Sequence, residues 1–217
     1  GRLLATLKAE GVDGNTVVFF TSDNGGLSTL DRRRPGPTSV LPLRAGKGWC
    51  YEGGIRVPWI VYDPKNPGKN RTSGTPIISA DLYPTVLDYA GLEPMPEQHR
   101  DGVSVRPVMA DTAAQLKRTE PLVWHYPHYH GSGWLPGSAI REGDWKLIEH
   151  YHDEKTELFN LAGDLSESRD VSADHPEKTK DLRNKLRATL KKIGAAMPRP
   201  NPNPKPRDSK KKKKKNR

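Results

Sequence analysis

Residues 16–20, TVVFF, are β-branched or aromatic throughout, and they lead directly through Thr21 into Ser22-Asp23-Asn24-Gly25-Gly26. A segment this apolar favours burial on both faces. It predicts a strand covered on both faces, as in the parallel sheets of α/β folds. Upstream, residues 2–11 (RLLATLKAEG) set Leu3, Leu4 and Leu7 at helical spacing and end on Gly11, suited to a left-handed position after a helix. Helix, short turn and buried strand make half of an α/β unit. Ligands in such sheets sit at the carboxyl ends of the strands, and Ser-Asp-Asn-Gly-Gly stands at that end. Asp, Asn and Gly are turn formers. The acid and the amide are also hard oxygen donors of the kind Ca²⁺ and Mg²⁺ select, although two oxygens fill only part of a Ca²⁺ shell of about six to eight. These residues support a turn and a metal site alike.

The order of the remaining patterns gives the architecture. WIVYDP (59–64) reads as a second short strand, and residues 79–92 (SADLYPTVLDYAGL) as a helix with Ser79 as N-cap and Gly91 closing it. On that helix Leu82, Val86, Leu87 and Ala90 share a face. Residues 121–130 (PLVWHYPHYH) and 137–151 (GSAIREGDWKLIEHY) read as strands, the latter folded into a hairpin at Glu142-Gly143-Asp144, and TELFN adds another. Residues 175–197 form an amphipathic helix with Leu182, Leu186, Leu190 and Ile193 on one stripe. The expectation is α/β material over 1–115, an α+β subdomain with an antiparallel sheet and a C-terminal helix over 116–197, and a disordered Pro- and Lys-rich tail over 198–217.

Charge excludes one class of function for the folded part. The chain carries +10, but the tail holds ten Lys and Arg against one acid, Asp208; subtracting that +9 leaves +1 for residues 1–197. A nearly neutral body offers no broad electrostatic surface to nucleic acid, so no dedicated nucleic-acid partner is expected. The tail alone could hold a polyanion, or be a solvated extension. The one cysteine, Cys50, excludes an internal disulfide. No apolar run reaches the roughly 18 residues of a membrane span, and the opening residues lack a leader pattern and read as a helix already under way.

Lys47 stands in Arg44-Ala45-Gly46-Lys47-Gly48, where flanking glycines allow close approach to an anion and the ammonium supplies a point charge. The P-loop pattern is absent. Taken in order, FFTSDNGG, LRAGKGWCYEGGIRVPWIVYDP, SADLYPTVLDYAGL, DGVSVRPVM, AIREGDWKLIEHY and TELFNLAGDLSESRDVS resemble the C-terminal half of a type I sulfatase of the alkaline-phosphatase-like superfamily. The resemblance covers most of residues 1–197.

That resemblance implies sulfate-ester hydrolysis on a sulfated small molecule or glycan. It also implies Ca²⁺ (Mg²⁺ less so) held by Asp23 and Asn24 with two acids from an N-terminal portion, and Lys47 as the catalytic, sulfate-binding lysine. The expected nucleophile is a formylglycine hydrate made from the cysteine of Cys-x-Pro/Ala-x-Arg, and export to the periplasm or beyond is implied as well. Here the sequence departs from the family pattern. Cys50 is followed by Glu52 and Gly54 where Pro or Ala and Arg belong, so Cys50 reads as a small buried thiol and the isolated chain is expected to show no turnover. His125 and His128 of WHYPHYH are candidate substrate contacts, with packing as the competing account, as it is for His130. Arg44, Glu52 and Arg56 read as ion pairs steadying the lysine loop. Two other classes of function fit the same residues: a phosphatase or phosphodiesterase of the superfamily, and a non-enzymatic polyanion-binding chain.

Overall fold

The computed structural model describes residues 1–30, 34–66, 71–199, 201 and 202; the expected disorder of the tail falls almost entirely outside them. In chain order the elements are α1 (Arg2–Ala9), β1 (Val18–Thr21), α2 (Glu52–Ile55), β2 (Trp59–Tyr62), α3 (Leu82–Ala90), α4 (Arg106–Ala110), β3 (Leu122–Tyr126), β4 (Gly137–Glu142), β5 (Trp145–His150), β6 (Thr156–Asn160) and α5 (Pro176–Lys192).

The second half follows its alternation pattern. β3-β4-β5-β6 is an antiparallel meander, with Ile140 opposite Leu147 and Leu147 opposite Leu158. Because neighbouring strand residues point to opposite faces, the sheet separates two cores. Ile140, Leu147 and Leu158 meet Leu182, Leu186 and Leu190 of α5. On the other face Ala139, Ile148 and Phe159 meet Cys50, Tyr51 and Trp134. The segment around Lys47 is thus packed onto the sheet through Ala45, Trp49, Cys50 and Tyr51. α5 begins with Pro176 in its first turn, where a missing N–H costs nothing. Its apolar stripe is one residue shorter than its periodicity suggests, since Ile193 lies past the last helical turn and is 61% exposed.

The first half departs from two expectations. β1 pairs with β2 antiparallel, Val18 opposite Tyr62 and Thr21 opposite Trp59, rather than in a parallel sheet. Phe19 packs against Trp59 and Tyr89, but Phe20 and Ile60 are each 61% exposed. A uniformly apolar run reports a demand for burial and carries no information about the direction of its partner. The start of α3 is the second departure. Ser79 is not the cap. The Asp81 carboxylate turns back to accept the Ile78 N–H at 2.8 Å, and it also takes the Val103 N–H and two contacts from Arg118 Nη2. Gly91 does close the helix, at φ 67°. On α3 the buried residues are Pro84, Thr85 and Leu87, while Val86 is exposed.

Candidate active site

β1 ends at Thr21 and delivers Ser22, Asp23 and Asn24 to the edge of an open cavity of about 960 Å³, lined also by Arg56, Trp59, Trp124 and Arg141. Asp23 is exposed and Asn24 half-buried. The Asn24 Nδ2 donates to Asp23 Oδ1 at 2.7 Å, and Ser22 Oγ donates to the Asn24 carbonyl at 3.1 Å. Half a turn of the Asn24 amide exchanges its nitrogen for its oxygen and brings two oxygens to one point. That donor set fits a hard divalent cation. No group of three or more His, Cys, Asp or Glu among the described residues could hold a metal by itself, so Asp23 and Asn24 would be part of a shell.

The glycines explain how this loop meets the lysine loop. Gly25 donates its N–H to the Gly54 carbonyl at 2.9 Å, and Lys47 donates to the Gly26 carbonyl at 2.9 Å. Ser28 Oγ reaches the Ala45 carbonyl at 2.6 Å. A Cβ on Gly25 would stand 1.8 Å from the Gly53 carbonyl oxygen, and one on Gly46 would stand 2.1 Å from Ser28 Oγ. Two backbones lie in contact here, and side chains would hold them apart. The clasp places Lys47, exposed, one main-chain hydrogen bond from the loop that carries Asp23 and Asn24. Lys47 does not line their cavity.

Beneath the clasp lies a buried set of charges that pattern reading did not reveal. Lys146 on β5 is fully buried, with Nζ 2.9 Å from Glu52 Oε1 and 2.8 Å from Glu167 Oε1. The second contact is a close ion pair rather than a directed hydrogen bond. Glu167 Oε2 accepts the Glu52 N–H at 2.6 Å, and Arg56 and Arg141 stand 3.5 and 3.9 Å from Glu52. Burial works to raise the Glu52 carboxyl, but Lys146, Arg141 and Arg56 together outweigh it and hold the group below its usual range. Glu167, with fewer cations, is pushed up by burial. Arg44 lies over the Tyr51 ring at 3.8 Å and 3.7 Å from Glu157, so Arg44, Glu52 and Arg56 do form ion pairs about the lysine loop. Cys50 is 3% exposed, and burial pushes its thiol up to about 12. Nucleophilic attack needs the thiolate, and this thiol stays protonated.

The histidines separate by position. His125 on β3 has both ring nitrogens engaged, Nδ1 with Ser138 Oγ at 2.7 Å and Nε2 with the Ala196 carbonyl at 3.0 Å. His128 is exposed beside Tyr126. His130 is the one that touches the lysine loop: a Cβ on Gly48, at φ 87°, would stand 2.2 Å from its Nδ1. The glycine at 48 was the available signal, but sequence does not show what fills the space a glycine leaves.

Similarity to known proteins gives the family and the fold. The family model described as N-sulphoglucosamine sulphohydrolase, C-terminal, matches residues 45–196. A protein named sulfatase from Formosa agariphila is 39% identical over 201 residues, which cover 87% of this chain and 35% of the relative. The solved structure of BT4656 in complex with its substrate D-glucosamine-2-N,6-O-disulfate superposes at TM-score 0.72 with 28% identity, over 89% of this chain and 38% of that one. Ps i-CgsB in complex with k-i-k-neocarrahexaose superposes at 0.71 with 31% identity, over 87% of this chain and 39% of that one. The chain therefore spans well under half the length of these relatives. It belongs to the type I sulfatase family, has the alkaline-phosphatase-like fold, and corresponds to the C-terminal portion that the family model describes.

Proposed function

We propose that these residues form the part of a sulfuric ester hydrolase that completes a divalent-cation site and binds the sulfate group, with a sulfated sugar as substrate. The single observation that carries this is the glycine clasp, which holds the Lys47 loop against the loop of Asp23 and Asn24 through the Lys47-to-Gly26 and Gly25-to-Gly54 hydrogen bonds. In this reading Asp23 and Asn24 hold Ca²⁺. A bound cation would draw charge from the sulfate oxygens as the S–O bond breaks. Lys47, exposed and outside the cavity that Asp23 and Asn24 line, would contribute a second positive charge to the same oxygens. The clasp fixes the spacing of the two loops before substrate arrives, so little ordering remains to be done at binding. His128, exposed at the end of β3, is free to meet the sugar, whereas His125 is committed to Ser138 and Ala196.

Cys50 is buried and is followed by Glu52 and Gly54 where the formylglycine pattern has Pro or Ala and Arg, so in this reading the attacking group lies outside these residues and the 217-residue chain alone turns over no substrate. Residues 1–115 would complete the catalytic α/β domain, and 116–197 would buttress the lysine loop. The sugar assignment rests on the ligands of BT4656 and Ps i-CgsB.

The test compares this chain with the product of the longest open reading frame containing it, assayed on D-glucosamine 6-sulfate and on its 6-phosphate. Sulfate release by the longer protein only, with the phosphate ester at least about a hundredfold poorer in kcat/KM, supports the reading. Preferred hydrolysis of the phosphate ester, or turnover by the short chain, overturns it.

A further inference from the structure

We propose that Lys146 is a positioning residue for the cation loop, acting through Glu52 and the backbone of α2 on Gly25. This rests on the reading of Asp23 and Asn24 given above.

Every link is a direct contact. Lys146 rises from β5 on the face opposite α5 and is fully buried. Its ammonium lies between Glu52 and Glu167, at 2.9 and 2.8 Å. Glu52 is the first residue of α2, and Glu167 Oε2 holds its main-chain N–H at 2.6 Å. The Glu167 carbonyl accepts from Arg44, at the start of the lysine loop, at 2.9 Å. Two residues beyond Glu52, the Gly54 carbonyl takes the Gly25 N–H, and the Gly53 carbonyl fills the space where Gly25 would carry a Cβ. Gly25 directly follows Asn24.

The energetics favour a positional role over a purely stabilising one. Taking an ammonium and two carboxylates out of water costs several kcal/mol per ion, and apolar side chains of similar volume often serve stability as well or better. What the ions add is direction. α2 is only four residues long and includes two glycines, too short to hold its own orientation. With its first side chain and first N–H both tied to the Lys146–Glu167 pair, its carbonyls face the cation loop in one arrangement. Removing Lys146 leaves Glu52 and Glu167 as neighbouring like charges. Whether they repel or take up a proton, the cation that tied the α2 side chain to Glu167 is gone, and the acceptor of Gly25 loses its fixed position.

The experiment is residue-resolved amide exchange on the ¹⁵N-labelled 217-residue chain, in wild type and Lys146→Met. The methionine keeps most of the apolar stem and removes the charge. The expected result is exchange about tenfold faster at Gly25 and Gly53, with Leu186 on α5 unchanged, because local opening is read separately from global unfolding. A stability-only role would accelerate all three together or none. Gly25 protected to within about twofold of wild type, or unprotected in wild type itself, overturns the proposal. Should Lys146→Met not fold, Glu167→Gln takes its place: it keeps the volume and one acceptor oxygen for the Glu52 N–H and removes the charge that faces Lys146, and an unchanged Gly25 there is equally contradictory. Sulfate release by the protein encoded by the longest open frame, before and after chelation and with CaCl₂ restored, forms a separate arm. Release unaffected by chelation would sink the cation reading while leaving the Gly25 result to stand or fall by itself.

Discussion

The amide of Gly25 and the carbonyl of Gly54 meet at 2.9 Å across two loops separated by 28 residues of chain (54 minus 25, less one). That contact holds the turn of Asp23 and Asn24 against the segment that follows Lys47, and on the proposed reading it makes that turn part of the site. It also exposes the arrangement to disruption by one methyl group.

Gly25→Ala places a Cβ 1.8 Å from the Gly53 carbonyl oxygen, a backbone atom that cannot rotate away. The expected loss is about 3 kcal/mol or more in urea unfolding. Gly74→Ala meets nothing within 4 Å, and its change should stay within about 0.5 kcal/mol. Equal effects would show that the clasp contributes nothing.

Cys50, held protonated by burial with its thiol near 12, should resist Ellman's reagent at pH 8 in the folded chain and react within the mixing time in denaturant. Rapid labelling of the native chain would contradict its burial.

Acid should destabilise the chain through Glu157. Its carboxyl is held at about 2: burial works to raise it, but hydrogen bonds from His150, Tyr51 and Lys155 and the charge of Arg44 outweigh that cost. A depressed folded pKa gives stability that is present above the unfolded value of 4.5 and lost as pH falls from there towards 2. Glu52 acts in the same direction, whereas Glu167, raised by burial, acts in the opposite one. Thermal unfolding between pH 7 and 3 should show Tm falling below about pH 4.5, with Glu157→Gln less stable at pH 7 but flatter in slope. An unaltered slope in that variant would remove Glu157 from the account.

Leu186, fully buried between α5 and the sheet, should cost about 2–5 kcal/mol on truncation to Ala. Val86, 45% exposed on α3, should cost well under about 1 kcal/mol. Similar losses would mean that α5 is not the helix that seals the core.

The meander and α5 were legible because their periodicities run over many residues and Gly143-Asp144 punctuates the hairpin. Asp23, Asn24 and Lys47 stood out because two glycines follow the acid and the amide at the end of an apolar run and glycines flank the lysine; the roles proposed for them came from the order of motifs along the chain, not from these residues alone. The direction of β2 was not legible, since hydrogen-bond pairing leaves no mark on side-chain order. Lys146 was not legible either: in WKLIEH a lysine between apolar neighbours reads as the solvent face of a strand, and only tertiary structure supplies the two carboxylates that permit its burial. His125 and His130 look alike in sequence, and the contact with Gly48 that separates them spans more than 80 residues.

The most direct test of the central claim is the Ca²⁺ dependence of sulfate release by the protein encoded by the longest open frame, in wild type, Asp23→Ala and Lys47→Ala. The account predicts that Asp23→Ala raises the Ca²⁺ needed for half-maximal rate by about tenfold or more. It predicts that Lys47→Ala lowers kcat by about a hundredfold or more at every Ca²⁺ concentration. Wild-type Ca²⁺ dependence in Asp23→Ala, or wild-type turnover in Lys47→Ala, would contradict it.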